Sequence, residues 1–451
     1  MIEALRPIAL AIRARGGRAV VVGGFVRDQL LGLSHAKDLD VEVFGLTAVE
    51  LEGVLRGFGE VLLFGRAFAV MQVAGLAADF ALPRGERAAD PARDFASAAR
   101  RRDLSINAIG LDPLSGEILD PLGGRADLAA RVLRAADPRH FADDPLRGLR
   151  VMQLAARFAM EPDAELTLLC RALDLSTLPG ERLRVEFDKL LLRASQPSRG
   201  LEVLRRTDML RFFPELEALV GVPQDPTWHP EGDVWVHTGM ALDAAALLRT
   251  GQPDDAALMY AVLCHDFGKP AATRESDGRV RAHGHPAAGV VATRSFLERL
   301  RAPSALLAQV LALVEHHLAP AQLPRDGASP KAYRRLARRL AAAQVGPALL
   351  ERVARADQWG RTTPDTRARR FPAGDRFLEA IVHLAIPDGG PRDVVLGRHL
   401  LARGFAAGPD FARILARCRE VQDETGWSDP DAILGRALAA ESTPDDVSGS
   451  S

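Results

Sequence analysis

The sequence predicts an α+β protein, with a mixed strand-and-helix head over residues 1–137 and helices from there to the C-terminus. Three observations carry this. Short apolar runs alternate with helix-like segments in the head. Beyond about residue 140 the apolar spacing is almost wholly that of amphipathic helices. The length, 451 residues, exceeds what one core organises, so two to four domains are expected.

The elements follow in order. MIEALRPIALAIRARGG reads as a short amphipathic helix, without the apolar centre of a signal peptide. RAVVVGG and DLDVEVFG read as strands and LTAVELEGVLRGFG as a helix. AFAVMQVAG and LAADFALPR are two further strands joined by a glycine turn. Residues 84–102 are polar and charge-rich, as in a loop. A second region, 138–225, carries amphipathic helices such as DDPLRGLRVMQLAARFAM and ERLRVEFDKLLLRA. The Pro- and Gly-rich break GVPQDPTWHPEGD opens a third, 226–365, and a fourth, 366–451, is helical pieces punctuated by Gly and Pro.

Lys and Arg number 58 against 59 Asp and Glu, so a polyanion partner must be met by local arginine clusters, not a global field. Cys170, Cys264 and Cys418 are far apart and in no ligand spacing, which suits a reducing cytoplasm. No stretch approaches the roughly 18 apolar residues of a membrane span. The expectation is a cytoplasmic protein with no membrane partner.

Chemistry begins at GGFVRDQLLGLSHAKDLD, residues 23–40. Strand side chains two apart share a face, so Asp38 and Asp40 present their carboxylates together. Unpaired they repel, and a hard cation such as Mg²⁺ resolves the conflict while bridging to phosphate oxygens. Gly23 and Gly24 stand where the strand turns into a helix, letting the backbone approach a phosphate, with Arg27 on the first helical turn. Two solvated aspartates at a strand edge are the plain alternative for D-x-D alone; G-G-x-x-R-D at a fixed offset favours the cation.

In RRRDLSINAI, Asp103 and Asn107 are four apart, on one face if helical; their acceptors suit ribose hydroxyls, and Arg102 suits a phosphate. A solvated charge run is the alternative. In FADDPLRGLRVMQ, Asp144, Arg147 and Arg150 recur every three residues, on one helix face. They offer an acceptor and donor forks for a nucleobase edge, or an intrahelical ion pair. Asp79 on a later strand either completes the cation site or is a solvated strand carboxylate.

Together GGFVRD…KDLD, RRDLSINAI, DPLGGRADL and DDPLRGLR resemble the successive motifs of the class II tRNA nucleotidyltransferases. That family comprises the CCA-adding enzymes and the bacterial poly(A) polymerases. The resemblance implies a polymerase-β-like nucleotidyltransferase head followed by all-α neck and body. It implies Mg²⁺ on Asp38 and Asp40, and triphosphate on Gly24 and Arg27. Phosphate and ribose fall to Arg102, Asp103 and Asn107, and base recognition to Asp144, Arg147 and Arg150. The implied partners are tRNA, CTP and ATP. Asp143 replaces the usual Glu, and Gln153 stands where a further arginine is common.

Residues 229–317 hold seven of the chain's 11 histidines. His265-Asp266, closing the apolar helix AALMYAVLC, supplies nitrogen and oxygen ligands from one turn, suited to a divalent metal. His237, His285 and His317 complete the candidate shell, with His283 and His316 as competitors for the last two positions. The series HTGM, HDFGKP, HGHP and EHHL resembles the HD phosphohydrolase domain, in which Asp357 of RADQWGRTTPD matches the downstream metal ligand. The resemblance implies Ni²⁺, Mn²⁺ or Mg²⁺ and a phosphate ester substrate, such as a 2′,3′-cyclic phosphate on a damaged tRNA end. A metal-free scaffold is the alternative there. For the chain as a whole the alternatives are a poly(A) polymerase, a partial CC- or A-adding enzyme, or an HD phosphohydrolase whose head only binds nucleotide.

Overall fold

The computed structural model describes residues 1–33, 39–64, 70–83 and 95–439. The chain forms two compact units. One comprises Met1–Leu190 with Arg199–Phe212, the other Leu191–Ser198 with the chain from Phe213 onward.

The first unit opens with helix α1, Ile2–Ala14, which buries Leu5, Ile8 and Ile12 along one stripe. Strand β1, Arg18–Val22, leads through Gly23 into helix α2, Gly24–Leu30. β2, Leu39–Phe44, is followed by α3, Ala48–Leu55, whose N-terminus is closed by a Thr47/Glu50 capping box. Then come β3, Val61–Phe64; β4, Val70–Val73; and β5, Ala78–Ala81. The short β6, Gly110–Leu111, and β7, Ile118–Leu119, complete a sheet of order β3-β4-β5-β2-β1-β6-β7. β1 pairs antiparallel with β2, and β2 parallel with β5. β1, β2, β4 and β5 match expectation, and β3, β6 and β7 are additions to it.

Beyond the sheet the unit is mainly helical, with Leu146–Phe158 and Gly180–Arg193 the two helices that bear on function. One expectation is corrected here. The helix carrying Arg147 and Arg150 begins only at Leu146, so Asp144 does not lie on its face. Pro145 disfavours helical backbone at the residue before it, and Asp144 instead accepts a hydrogen bond from Leu146 N at 3.1 Å.

The second unit is built around Asp255–Cys264, a helix buried on nearly every side and correspondingly apolar all round. Packed against it are Val234–Leu247, Ser304–His316 and Pro347–Trp359, while His285–Arg299 pairs with Ser304–His316. A strand pair, Arg274–Ser276 and Arg279–Arg281, forms an exposed hairpin between them in sequence. The C-terminal helices hold a small core of Val395, Leu400, Ile414, Cys418, Val421, Ile433 and Leu434. Among the described residues no helix is long and apolar enough to cross a membrane.

Candidate functional sites

In the first unit the alternation of β2 decides what faces where. Leu39, Val41 and Val43 are buried, while Asp40 and Glu42 point to the opposite face. Register then sets the neighbours: Asp40 lies across from Val22 on one side and from Asp79 on the other. Asp79 is held by Gln72, whose Nε2 donates to Oδ1 at 2.5 Å. Three carboxylates from two adjacent strands therefore share one face. Asp38 lies outside the described residues. Gly23 has φ +75°, and a Cβ there would come within 3.1 Å of Asp40 Oδ2, so glycine is required both by conformation and by this close approach.

These carboxylates line a cleft of about 450 Å³ together with Arg101, Arg102, Arg147, Arg150 and Arg182. Of the residues predicted from sequence, Asp40, Arg102, Asp103, Asp144, Arg147 and Arg150 reach this cleft. Arg102 Nη2 donates to Glu42 Oε1 at 2.6 Å, while Arg102 Nε and Glu42 Oε2 are buried without a protein partner. Arg147 donates to the carbonyls of His140 and Arg101, and Asp144 pairs with Arg182 at 2.8 Å. The intrahelical ion pair weighed from sequence is not the arrangement adopted.

Asp103 and Arg150 of the cleft join two further predicted residues, Arg27 and Asn107, in one network. Arg27, only 6% exposed, packs its guanidinium over Phe158 and donates to Asn107 Oδ1 at 2.7 Å. Asn107 donates to Asp103 Oδ1 at 3.1 Å, and Asp103 accepts from Arg150 Nε at 2.6 Å. Asp103 precedes a short 3₁₀ turn, Ser105–Asn107, and meets Asn107 without an α-helical face. Segments 27, 103–107 and 150 thus reach each other through buried hydrogen bonds, which makes their mutual positions rigid.

Burial opposes charge on Asp103, but the Arg150 charge and hydrogen bonds outweigh it and hold the carboxyl below its ordinary range. Its stabilising contribution is therefore present above the unfolded carboxylate pKa of about 4 and is lost as pH falls through the lower folded value. Asp103→Asn should cost about 1.5 kcal/mol at neutral pH. Its thermal midpoint should also fall less steeply than the parent's below about pH 4. Parallel melting curves against pH for the two proteins would contradict this.

In the second unit six sequence-predicted residues converge. His265 and His317 follow the ends of their helices, His285 opens one, and His237 and Asp357 lie within helices. Nε2 of His237 is 3.3 Å from Nε2 of His265 and 3.1 Å from Asp357 Oδ1. Nε2 of His285 is 3.3 Å from Nε2 of His317. Asp266 completes a second trio with His285 and His317 and ties it to the first, His237, His265 and Asp357, with Oδ2 at 3.2 Å from His265 and Oδ1 at 3.4 Å from His285. His283 is exposed and His316 lies outside the cluster.

The outer nitrogens fix the tautomers. Nδ1 of His265, His285 and His317 lies 2.7 to 2.8 Å from the carbonyls of Val262, Ala282 and Val314, which can only accept. His237 Nδ1 faces Glu231 Oε1 at 2.9 Å. With Nδ1 so engaged, Nε2 is the atom each ring turns inward, and it carries the lone pair whenever the ring is neutral. Burial, then the His265 and His285 charges, push His317 down to about 3, so it is neutral at physiological pH. Burial opposes charge on Asp266 and Asp357, but neighbouring cations hold both well below the carboxylate range. Lone pairs facing each other at 3.3 Å, beside two ionised carboxylates, fit a divalent cation.

Sequence reasoning missed several neighbours. Arg182 sits on a separate helix, 38 residues from its partner Asp144. Glu231 holds both His229 and His237, and Lys269 reaches Asp266 at 2.7 Å. The lysine was visible in HDFGKP, one helical turn after the aspartate.

Residues 19–134 match the poly A polymerase head domain, and residues 157–219 match a probable RNA and SrmB-binding site of polymerase A. The multifunctional CCA protein of Neisseria meningitidis serogroup A is 40% identical over 299 residues, covering 63% of this chain and 68% of that one. The multifunctional CCA protein of Thioalkalivibrio sulfidiphilus is 39% identical over 307 residues, covering 64% and 71%. The Bacillus stearothermophilus CCA-adding enzyme, solved in complex with CTP, superimposes with a TM-score of 0.67 at 21% identity, covering 97% of each chain.

Proposed function

The chain belongs to the family of CCA-adding enzymes and poly(A) polymerases, and from that premise we propose that it adds or repairs the 3′-terminal CCA of tRNA from CTP and ATP, in the cytoplasm. The observation that carries this reading is Asp40 beside Asp79 at the floor of an arginine-lined cleft. The domain division at 137, 225 and 365 is part of the same reading.

In it Asp38 and Asp40 hold Mg²⁺, with Asp38 assigned from its two-residue spacing alone. The ion supplies two things, a lowered pKa for the attacking hydroxyl and neutralisation of the departing charge. The terminal ribose oxygen bonds to the α-phosphorus of the nucleotide, the bond from that phosphorus to the β-phosphate oxygen breaks, and pyrophosphate leaves. Gly23, Gly24 and Arg27 shape the triphosphate end. Arg102 meets a phosphate, Asp103 and Asn107 hold the ribose side, and Asp144, Arg147 and Arg150 read the base.

The test is incorporation of each labelled nucleotide into tRNAs ending before the first C, the second C and the A. The expected result is C, C and A in turn, and then arrest. A long adenylate tract, or addition restricted to C alone or A alone, would replace this reading with one of its near relatives.

A second activity is supported by the inward-facing histidines. His237, His265, Asp266, His285, His317 and Asp357 hold a divalent metal, with Ni²⁺ or Mn²⁺ favoured by mixed His/Asp ligation and Mg²⁺ a third candidate. Bound there, such an ion would supply an activated water and a polarised phosphate ester. Hydrolysis of a 2′,3′-cyclic phosphate forms a bond from the water oxygen to phosphorus and breaks one ester bond, leaving a phosphomonoester. A second hydrolysis releases inorganic phosphate and restores the hydroxyl that the head extends.

A further inference from the structure

Over the histidine and aspartate donors opens a cavity of about 720 Å³. That is the size of pockets for whole small molecules, roughly 300 to 1,000 Å³, and far exceeds a lone phosphate. Its lining includes Arg279, Arg281 and Arg376, none of which pairs with a carboxylate among the described residues. Arg279 and Arg281 are two apart on one strand of the exposed hairpin, so both side chains share a face. Three arginines beside a metal-type cluster, none in a close ion pair among the described residues although Arg279 feels the Asp225 carboxylate, suit a ligand with more than one negative charge.

The same cavity is lined by Trp228, whose surface is 63% exposed. Its neighbour in the chain, Trp235, is by contrast buried in the core. The turn that carries Trp228 is not loose. Asp225 O accepts from Trp228 N at 3.1 Å and from His229 N at 2.8 Å, and Asp225 Oδ1 accepts from Thr227 N at 2.9 Å. His229 in turn is bonded to Glu231, the carboxylate that orients His237. The backbone that carries the indole is therefore held in place, three residues before a carboxylate in contact with the metal donors.

We infer that Trp228 is a stacking platform for the nucleobase adjoining the scissile phosphate, so that this site takes a nucleobase-bearing phosphate ester in preference to a base-free one. The inference rests on the phosphohydrolase reading of the histidine cluster and adds what that cluster selects. An exposed aromatic face stacks on any base, so the platform accepts RNA ends of every sequence, while Arg279 and Arg281 meet the phosphates of the strand.

The experiment compares cytidine 2′,3′-cyclic monophosphate with glycerol 1,2-cyclic phosphate, which has no base, on the full-length parent, Trp228→Ala and Trp228→Phe. The ratio of kcat/KM for the nucleotide over the glycerol ester should fall about tenfold in Trp228→Ala, through KM, and Trp228→Phe should recover most of it. An unchanged ratio overturns the platform while leaving the hydrolase intact. A second readout needs no metal and no turnover. Cytidine 3′-monophosphate should quench tryptophan fluorescence in the parent, and Trp228→Ala should lose that quench. If the parent hydrolyses neither ester with Mg²⁺, Mn²⁺ or Ni²⁺, the phosphohydrolase reading fails, and the quench alone decides. A quench that depends on Trp228 upholds the platform, and its absence overturns it.

Discussion

Asp40→Ala should lose nucleotide incorporation by more than about a hundredfold, since even groups one shell beyond a metal cost 10- to 100-fold when removed. The same variant should still fold and melt cooperatively close to the parent's temperature. Asp40 points away from the buried face of β2, so removing its carboxylate opens no cavity in the core. This combination separates a functional carboxylate from a structural one. A variant that incorporates CTP and ATP at near-parent rates would sink the metal assignment. One that fails to fold would instead mark Asp40 as part of the scaffold.

The second large effect belongs to the histidine cluster. His265→Ala combined with Asp266→Ala removes the residues that join the two trios. Hydrolysis of cyclic phosphate should disappear, whereas extension of a hydroxyl-ended tRNA should persist, because the nucleotide cleft is lined entirely by residues of the first unit. Metal linkage gives an independent readout. Mn²⁺ or Ni²⁺ at a hundred times its dissociation constant stabilises a folded protein by about 2.7 kcal/mol. The parent's melting temperature should rise accordingly, and the double variant's should not. Equal shifts in both would place the metal elsewhere.

How much of this was legible in the sequence depends on the kind of signal. The face of β2 followed from i, i+2 alternation, because Leu39, Val41 and Val43 leave no other choice for Asp40. The histidine cluster was legible because each donor sits in a marked segment, and all six come together in space. β3 was not legible. Its VLLF run leaves Leu62, Leu63 and Phe64 well exposed on an edge strand, so no alternation announces it. The helix start at Leu146 was misjudged although Pro145 marks it, since three-residue spacing outweighed the constraint on the residue before a proline.

Partners that act through another residue were the hardest to foresee. Glu231 precedes His237 by six residues, with the helix cap Asp233 between them, so no periodicity links the two. Arg182 reaches Asp144 only through the packing of separate helices. Arg27, Asn107, Asp103 and Arg150 were foreseen as separate ligand-binding residues, and the hydrogen bonds that link them in one chain were not. Those bonds also fix the guanidinium that borders the cleft.

The central claim is that one chain carries two separable metal-dependent sites, the second preparing the end that the first extends. The most direct measurement gives the parent a tRNA that lacks CCA and ends in a 2′,3′-cyclic phosphate, together with CTP, ATP and divalent metal. The account predicts full-length product from this blocked end with the parent, and from the hydroxyl-ended control alone with the His265→Ala, Asp266→Ala variant. Extension of the control by the parent while the blocked end stays untouched, with every metal, would contradict it.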